Sequence, residues 1–240
     1  MSATAEAIRV PDPVDSTIFI VGGDGGVGLL IAHHFVRAGA QRIGLVGSDA
    51  ALGAAAAKSI FALASGVWAL SATGDVRDPA ESARILAELS GSLGDADILV
   101  NCLPALPTCQ SFPGASAEDR SALVRHRTLG PINVSHAVLQ GMRAQNSGTI
   151  VNVIEEGVGS QLRGERLAGF LADSISESER EGVRINSIIH VPTEGPEKSV
   201  DLASGMRASQ VADLVMYLCS SEAGHIDAQC VVSHRDMDVP

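Results

Sequence analysis

Aromatic residues make up 3% of this 240-residue chain: one Trp, one Tyr and five Phe. Its core must therefore come from Ala, Val, Leu and Ile, which suits a parallel sheet covered by helices. Bases are scarce, 17 against 28 acids, and the formal charge is −11. With no run of Lys or Arg, no footprint for a phosphate backbone exists, and nucleic acid is not an expected partner. No apolar stretch approaches ~18 uninterrupted residues, so no membrane span is expected. Cys102, Cys109, Cys219 and Cys230 lack CxxC spacing, and the seven histidines form no HxxxH or HxH pattern. Those absences exclude the usual zinc and disulfide frameworks and predict ordinary thiols in a reducing cytoplasm. Residues 1–16 are small and acidic, with Pro11 and Pro13, unlike a signal peptide. They are read as a flexible arm before one domain spanning 17–240.

What is present begins with Ile18-Phe19-Ile20-Val21, a short β-branched run that reads as a buried strand. Gly22, Gly26 and Gly28 follow, and then Val27, Leu30, Ile31, Phe35 and Ala38 recur at helical spacing up to Gly39. A strand, a glycine turn and a helix N-terminus make a cradle for phosphate, although the same glycines also serve a tight turn without a ligand. Further strands are expected at 42–46, 67–72, 98–100, 149–154, 183–189 and 228–232. Helices are expected at 50–64, 117–144 (kinked at Pro131), 166–180 and 211–219. Ser48 or Asp49 would cap the helix at 50–64. Another is opened at Asp78-Pro79-Ala80-Glu81 by an N-cap, a first-position proline and a capping-box acid, and runs to about Ser90. This alternation predicts an α/β fold: a Rossmann-like, doubly wound, mainly parallel sheet of about seven strands with helices on both faces.

The chain resembles the classical short-chain dehydrogenase/reductase family over nearly its whole length. Val21-Gly22-Gly23-Asp24-Gly25-Gly26-Val27-Gly28 matches the family's TGxxxGxG turn, and Asp75-Val76 its adenine-site pair. Asp97-Ile98-Leu99-Val100-Asn101 resembles its fourth-strand motif. Gly148-Thr149-Ile150-Val151-Asn152-Val153 and Gly182-Val183-Arg184-Ile185-Asn186 resemble its fifth and sixth strands.

That resemblance implies NAD chemistry through a Tyr acid/base, a Lys one helical turn later, a Ser and an Asn. An unaided phenol titrates near ~10, so the family's Lys is needed to lower it. Family spacing puts the Tyr position at Ser160 and the Lys position at Gly164. The Ser falls within Ile154-Glu155-Glu156, and the Asn position holds Arg127. The chain's one Tyr is Tyr217, and its lysines are Lys58 and Lys198. Nor does the cofactor site match: Asn101-Cys102-Leu103-Pro104 replaces NNAG, His190-Val191 replaces a proline-glycine, and Gly47-Ser48 stands where a ribose-binding acid is usual. Asp24 puts a carboxylate in the phosphate turn, where repulsion at ~4 Å and a dielectric of ~20 is about 4 kcal/mol. Gly22, Gly26, Gly28, Asp75, Val76 and Asn101 are therefore read as vestigial, with no cofactor expected in this chain.

Two functions follow as expectations. The first is a non-catalytic subunit that assembles with an intact NAD-dependent paralogue acting on a hydroxyl or hydroxyacyl-CoA substrate, or with itself. The helices at 117–144 and 166–180 would form the interface; positions such as Leu123, Ile132, Val138, Leu167, Phe170 and Leu171 would serve either that contact or ordinary packing against the sheet. The second is a repurposed isomerase, dehydratase or cyclase, with Glu155 as base and Arg127 as anion anchor. Short of either role, Arg127 is expected in a salt bridge to Glu155, and Glu155 and Glu156 as loop acids facing water or pairing with Arg163 or Arg166. His126 borders the same cleft. Cys102 is expected to be a buried thiol, and His34 a packed or surface residue.

Overall fold

A computed structural model describes residues 12–103, 117–156, 164–174, 181–190 and 208–232, with backbone alone at 117–124 and 126. Strands and helices alternate along it: β1 Thr17–Val21, α1 Gly26–Arg37, β2 Arg42–Gly47, α2 Ala50–Phe61, β3 Trp68–Thr73 and α3 Pro79–Leu93. The second half holds β4 Ile98–Leu103, α4 Ala117–Ala144, β5 Gly148–Glu155, α5 Gly164–Asp173, β6 Val183–His190, α6 Ala208–Cys219 and β7 Cys230–Val232. One sheet runs in the order β3-β2-β1-β4-β5-β6-β7. Every described pairing is parallel. The expected fold class is observed.

Both faces of the sheet are covered, which is why its strands read as unbroken apolar runs rather than alternating ones. On one face Ile18, Ile20, Val100, Val151 and Ile188 meet Ile31, Phe35, Ile60 and Val215 of α1, α2 and α6. On the other, Phe19, Leu99, Ile150 and Ile185 meet Ile85, Leu89, Val138 and Met142 of α3 and α4. At the carboxyl end of that face, Leu103, Ile154 and Ile189 meet Ala168 and Leu171 of α5. Of the positions left open between an interface and the core, Val138 and Leu171 belong to the core. Ile132 and Leu167 are partly buried against it.

Local chemistry sets most boundaries. Asp49 caps α2 by accepting from the Ala51 and Leu52 amides, and Asp78 caps α3 through those of Ala80 and Glu81. The capping box does not close: the Glu81 carboxylate takes the Arg84 guanidinium instead, a charge-assisted partner one turn along. α3 continues past Ser90 to Leu93, where Gly94, with φ +91°, ends it. α2 stops at Phe61 rather than 64. α4 is one helix of 28 residues through Pro131. α5 starts at Gly164 and covers ten residues, not fifteen; 175–180 lie outside the described residues. Within the expected arm, residues 12–16 are ordered by a turn in which Ser16 donates to the Asp12 carbonyl at 2.5 Å.

Buried Arg184 anchors the amino-terminal edge of the sheet. Its guanidinium donates to Thr149 Oγ1 and to the carbonyls of Leu218, Ala223 and Ile226, at 2.9–3.1 Å. These bonds tie the end of α6 to the first residues of β5 and β6. No described helix is long and apolar enough to cross a membrane.

Candidate functional site

The sheet order reverses between β1 and β4, and at their carboxyl ends the diverging connections open a cleft. The glycine turn forms its floor. Gly22 has φ +73° and donates to the Val46 carbonyl at 2.8 Å; a Cβ there would come within 2.9 Å of the Cys102 carbonyl. At Gly28 a Cβ would collide with the Gly22 carbonyl, so Gly28 serves the turn's own packing. Gly25 and Gly26 are different, since a Cβ on either would meet nothing within 4 Å. The turn therefore leaves room above its middle.

Two cavities adjoin it, sharing Gly22, Asp24, Cys102 and Leu103. The larger, about 500 Å³, has apolar walls of Val21, Val46, Val76 and Pro131 and polar groups from Asp24, Asp75, Arg77 and Arg127. The smaller, about 270 Å³, lies against Gly25–Gly28 and reaches Val153 and Glu155. The Asp24 carboxylate lies against Gly47, where a Cβ would overlap it. The bare Cα of Gly47 makes room for it.

Asp75 is held by Arg77, which donates from Nε and Nη2 to the two carboxylate oxygens at 2.7 Å each. This partner raises the Arg77 pKa. Asn133 donates from Nδ2 to the Val76 and Arg77 carbonyls and pins that loop to α4. Asn101 is buried and donates to Asn152 Oδ1 at 3.0 Å and Ser135 Oγ at 3.3 Å. Its described role is to join β4, β5 and α4, and it lines neither cavity.

Arg127 is 5% exposed, and its Nη2 donates to the main-chain carbonyl of Glu155 at 2.6 Å, while Nε has no hydrogen-bond partner among the described residues. The expected partner was the Glu155 carboxylate; the bond instead joins α4 to the end of β5 through the Glu155 main-chain carbonyl. Burial pulls the Arg127 pKa down, against the charges of Glu156 and Glu155. The two acids part company. Glu155 lines the smaller cavity, whereas Glu156 Oε1 accepts from the Gly164 amide at the start of α5. His190 pairs in register with Glu155 and is buried, with Nδ1 unpartnered among the described residues. Burial lowers its pKa, and the Glu155 charge opposes this. Burial, helped by Glu155, pushes the Cys102 thiol up to about 12, which leaves it without thiolate at neutral pH.

Ser160, Pro104, Cys109, Arg163, Val191 and Lys198 lie outside the described residues, and nothing is described of the side chains of Leu123 and His126. At Gly164, a Cβ would come within 2.9 Å of Glu156 Oε1 and 3.0 Å of Ile189 Cγ1. A lysine there would have to displace both. Tyr217 adjoins Leu218, whose carbonyl is held by Arg184 at the start of β6. The chain's single phenol is thus at the opposite edge of the sheet from the cleft. Among the described residues, no group of three or more His, Cys, Asp and Glu could hold a metal ion.

A nicotinamide dinucleotide fits this site by halves. The larger cavity falls within the ~300–1,000 Å³ of small-molecule sites, and the space over Gly25 and Gly26 suits a phosphate at a helix N-terminus. Where the nicotinamide would react, the residues offer Glu155, a neutral thiol and Gly164, without a described proton donor of the required kind.

The family model for short chain dehydrogenase matches residues 16–160. Peroxisomal 2,4-dienoyl-CoA reductase of Mus musculus is 26% identical, over 91% of this chain and 82% of its own. Acetoacetyl-CoA reductase of Allochromatium vinosum is 26% identical, over 70% and 71%. Among solved structures, levodione reductase superposes with a TM-score of 0.79 at 23% identity, over 91% of this chain and 96% of that one. Actinorhodin polyketide ketoreductase with NADPH gives 0.75 at 22%, over 91% and 95%; likeness at this identity speaks for the fold alone. With its glycine turn, strand motifs and sheet order in agreement, this chain belongs to the short-chain dehydrogenase family.

Proposed function

We propose that this chain is a non-catalytic subunit of a short-chain dehydrogenase assembly, in which an intact paralogue supplies the catalytic Tyr and Lys and the NAD used for hydride transfer. The observation that carries this reading is the position of Tyr217. Proton transfer needs a donor within hydrogen-bond reach of the reacting oxygen. The one phenol of the chain sits beyond the amino-terminal edge of the sheet, and Gly164 brings no ammonium to the position from which the family's lysine lowers a phenol's pKa. Arg127, in the Asn position, is committed to the Glu155 carbonyl.

Assembly is supported by α4 and α5, whose outer surfaces expose Leu129 at 38% and Phe170 at 52%. An apolar pair on neighbouring helices suits burial against another subunit. The names of the curated relatives, a dienoyl-CoA reductase and an acetoacetyl-CoA reductase, support a CoA thioester as the assembly's substrate class. Co-expression with an intact short-chain dehydrogenase from the same genome, followed by native mass spectrometry, tests the assembly. A mixed oligomer that Phe170→Glu disrupts agrees with the reading; two separate homo-oligomers contradict it.

A repurposed acid/base enzyme is the second reading, and Glu155 on the wall of the smaller cavity favours it. Glu155→Gln would then abolish turnover while leaving assembly intact.

A further inference from the structure

We infer that Asp24, delivered by the glycine turn, takes over the ribose-binding carboxylate that β2 lacks, and that the larger cavity holds the adenosine half of a dinucleotide whose 2′-hydroxyl is free. In a dinucleotide fold an acid near the end of the second strand accepts from the ribose hydroxyls. Here that strand ends in Gly47-Ser48, yet the space is not without a carboxylate: the Asp24 side chain lies where a Gly47 side chain would have been. Parallel pairing of Val21 with Val46 brings the turn and the strand end side by side.

Four observations give that carboxylate a ligand. It lines the larger cavity together with Gly47 and Ser48. It makes no hydrogen bond or ion pair with another described residue, whereas the cavity's other carboxylate, Asp75, is taken by Arg77. Val21, Val46, Val76 and Pro131 provide the apolar walls that a purine requires. Gly25 and Gly26 leave open space at the start of α1 for the phosphate that would follow the ribose. Two carboxylate oxygens accept from a vicinal diol. A 2′-phosphate instead meets like charge at Asp24, and the cavity's Arg77 is already paired with Asp75.

This inference stands apart from the proposed function, because adenosine binding involves no hydride. Calorimetry on the purified full chain with ADP-ribose, NAD and NADP tests it. ADP-ribose has no nicotinamide and reads the adenosine half alone. The expected result is that ADP-ribose and NAD bind with similar affinity and NADP about tenfold or more weakly. Asp24→Asn should weaken ADP-ribose about tenfold, as expected for loss of a charged acceptor. The exchange Asp24→Gly with Gly47→Asp moves the acid back to β2 and should restore binding. Failure of ADP-ribose to bind, equal binding of NADP, or full binding by a folded Asp24→Asn protein would overturn the inference. Should Asp24→Asn not fold, the exchanged protein decides: folded but unable to bind, it overturns the assignment as well.

Discussion

Arg127 on α4 donates through Nη2 to the main-chain carbonyl of Glu155 at the end of β5, 2.6 Å away. A cation that is 5% exposed is thereby used as a brace between helix and sheet. Arg127→Leu removes the donor and leaves a carbonyl without it, at a cost of about 2 kcal/mol. For a chain of this size the melting temperature should fall by about 4–8 °C. Arg127→Asn, the residue common in the family, should restore no turnover; differential scanning calorimetry and a hydride-transfer assay check the two halves.

The glycines of the turn should separate by role. Gly28→Ala drives a methyl into the Gly22 carbonyl and should cost about 3 kcal/mol or more. Gly26→Ala has open space but a φ of +53°, and should cost only about 1–2 kcal/mol. Chemical denaturation of both variants reads the difference, and equal losses would show that packing does not distinguish them.

Stability should decline on the acid side through His190. Burial lowers its folded pKa below the ordinary 6.5, so below that pH the unfolded chain binds the proton more readily than the folded one. Stability is therefore full above the unfolded pKa and falls as pH drops through it. His33, also lowered by burial, adds in the same sense. His190→Asn should flatten the stability profile between about pH 7 and 5 relative to the parent, measured by urea midpoints.

Thiol reactivity should follow burial. Cys102 and Cys219 are pushed up to about 12 and should resist maleimide at pH 7, while exposed Cys230 is labelled before either of them. Site-resolved mass spectrometry reads this directly, and rapid labelling of Cys102 would reopen it as a nucleophile.

Much of the fold was legible because its signals are local. Apolar runs marked the strands, Asp49 and Asp78 marked helix starts, and ordered motifs marked the family. What escaped depends on pairs that only the folded sheet creates. Asp24 and Gly47 become neighbours through β1–β2 register, so Asp24 read as a charge spoiling a phosphate turn. Arg127 found a backbone carbonyl, which no side-chain pattern records. Val138 and Leu171 could be read as interface or core, since helical periodicity does not say whether a sheet or a second subunit covers an apolar face; the folded chain puts both in the core.

The central claim concerns hydride transfer, and the most direct test is NADH and NADPH oxidation by the purified chain alone. Acetoacetyl-CoA and a dienoyl-CoA serve as substrates, beside the same assay on a co-purified mixed assembly. The account predicts no turnover above buffer for the chain alone and full turnover for the assembly, unchanged when Glu155→Gln is introduced into this chain. Sustained oxidation by the chain alone would contradict it and would require a proton donor other than Tyr217.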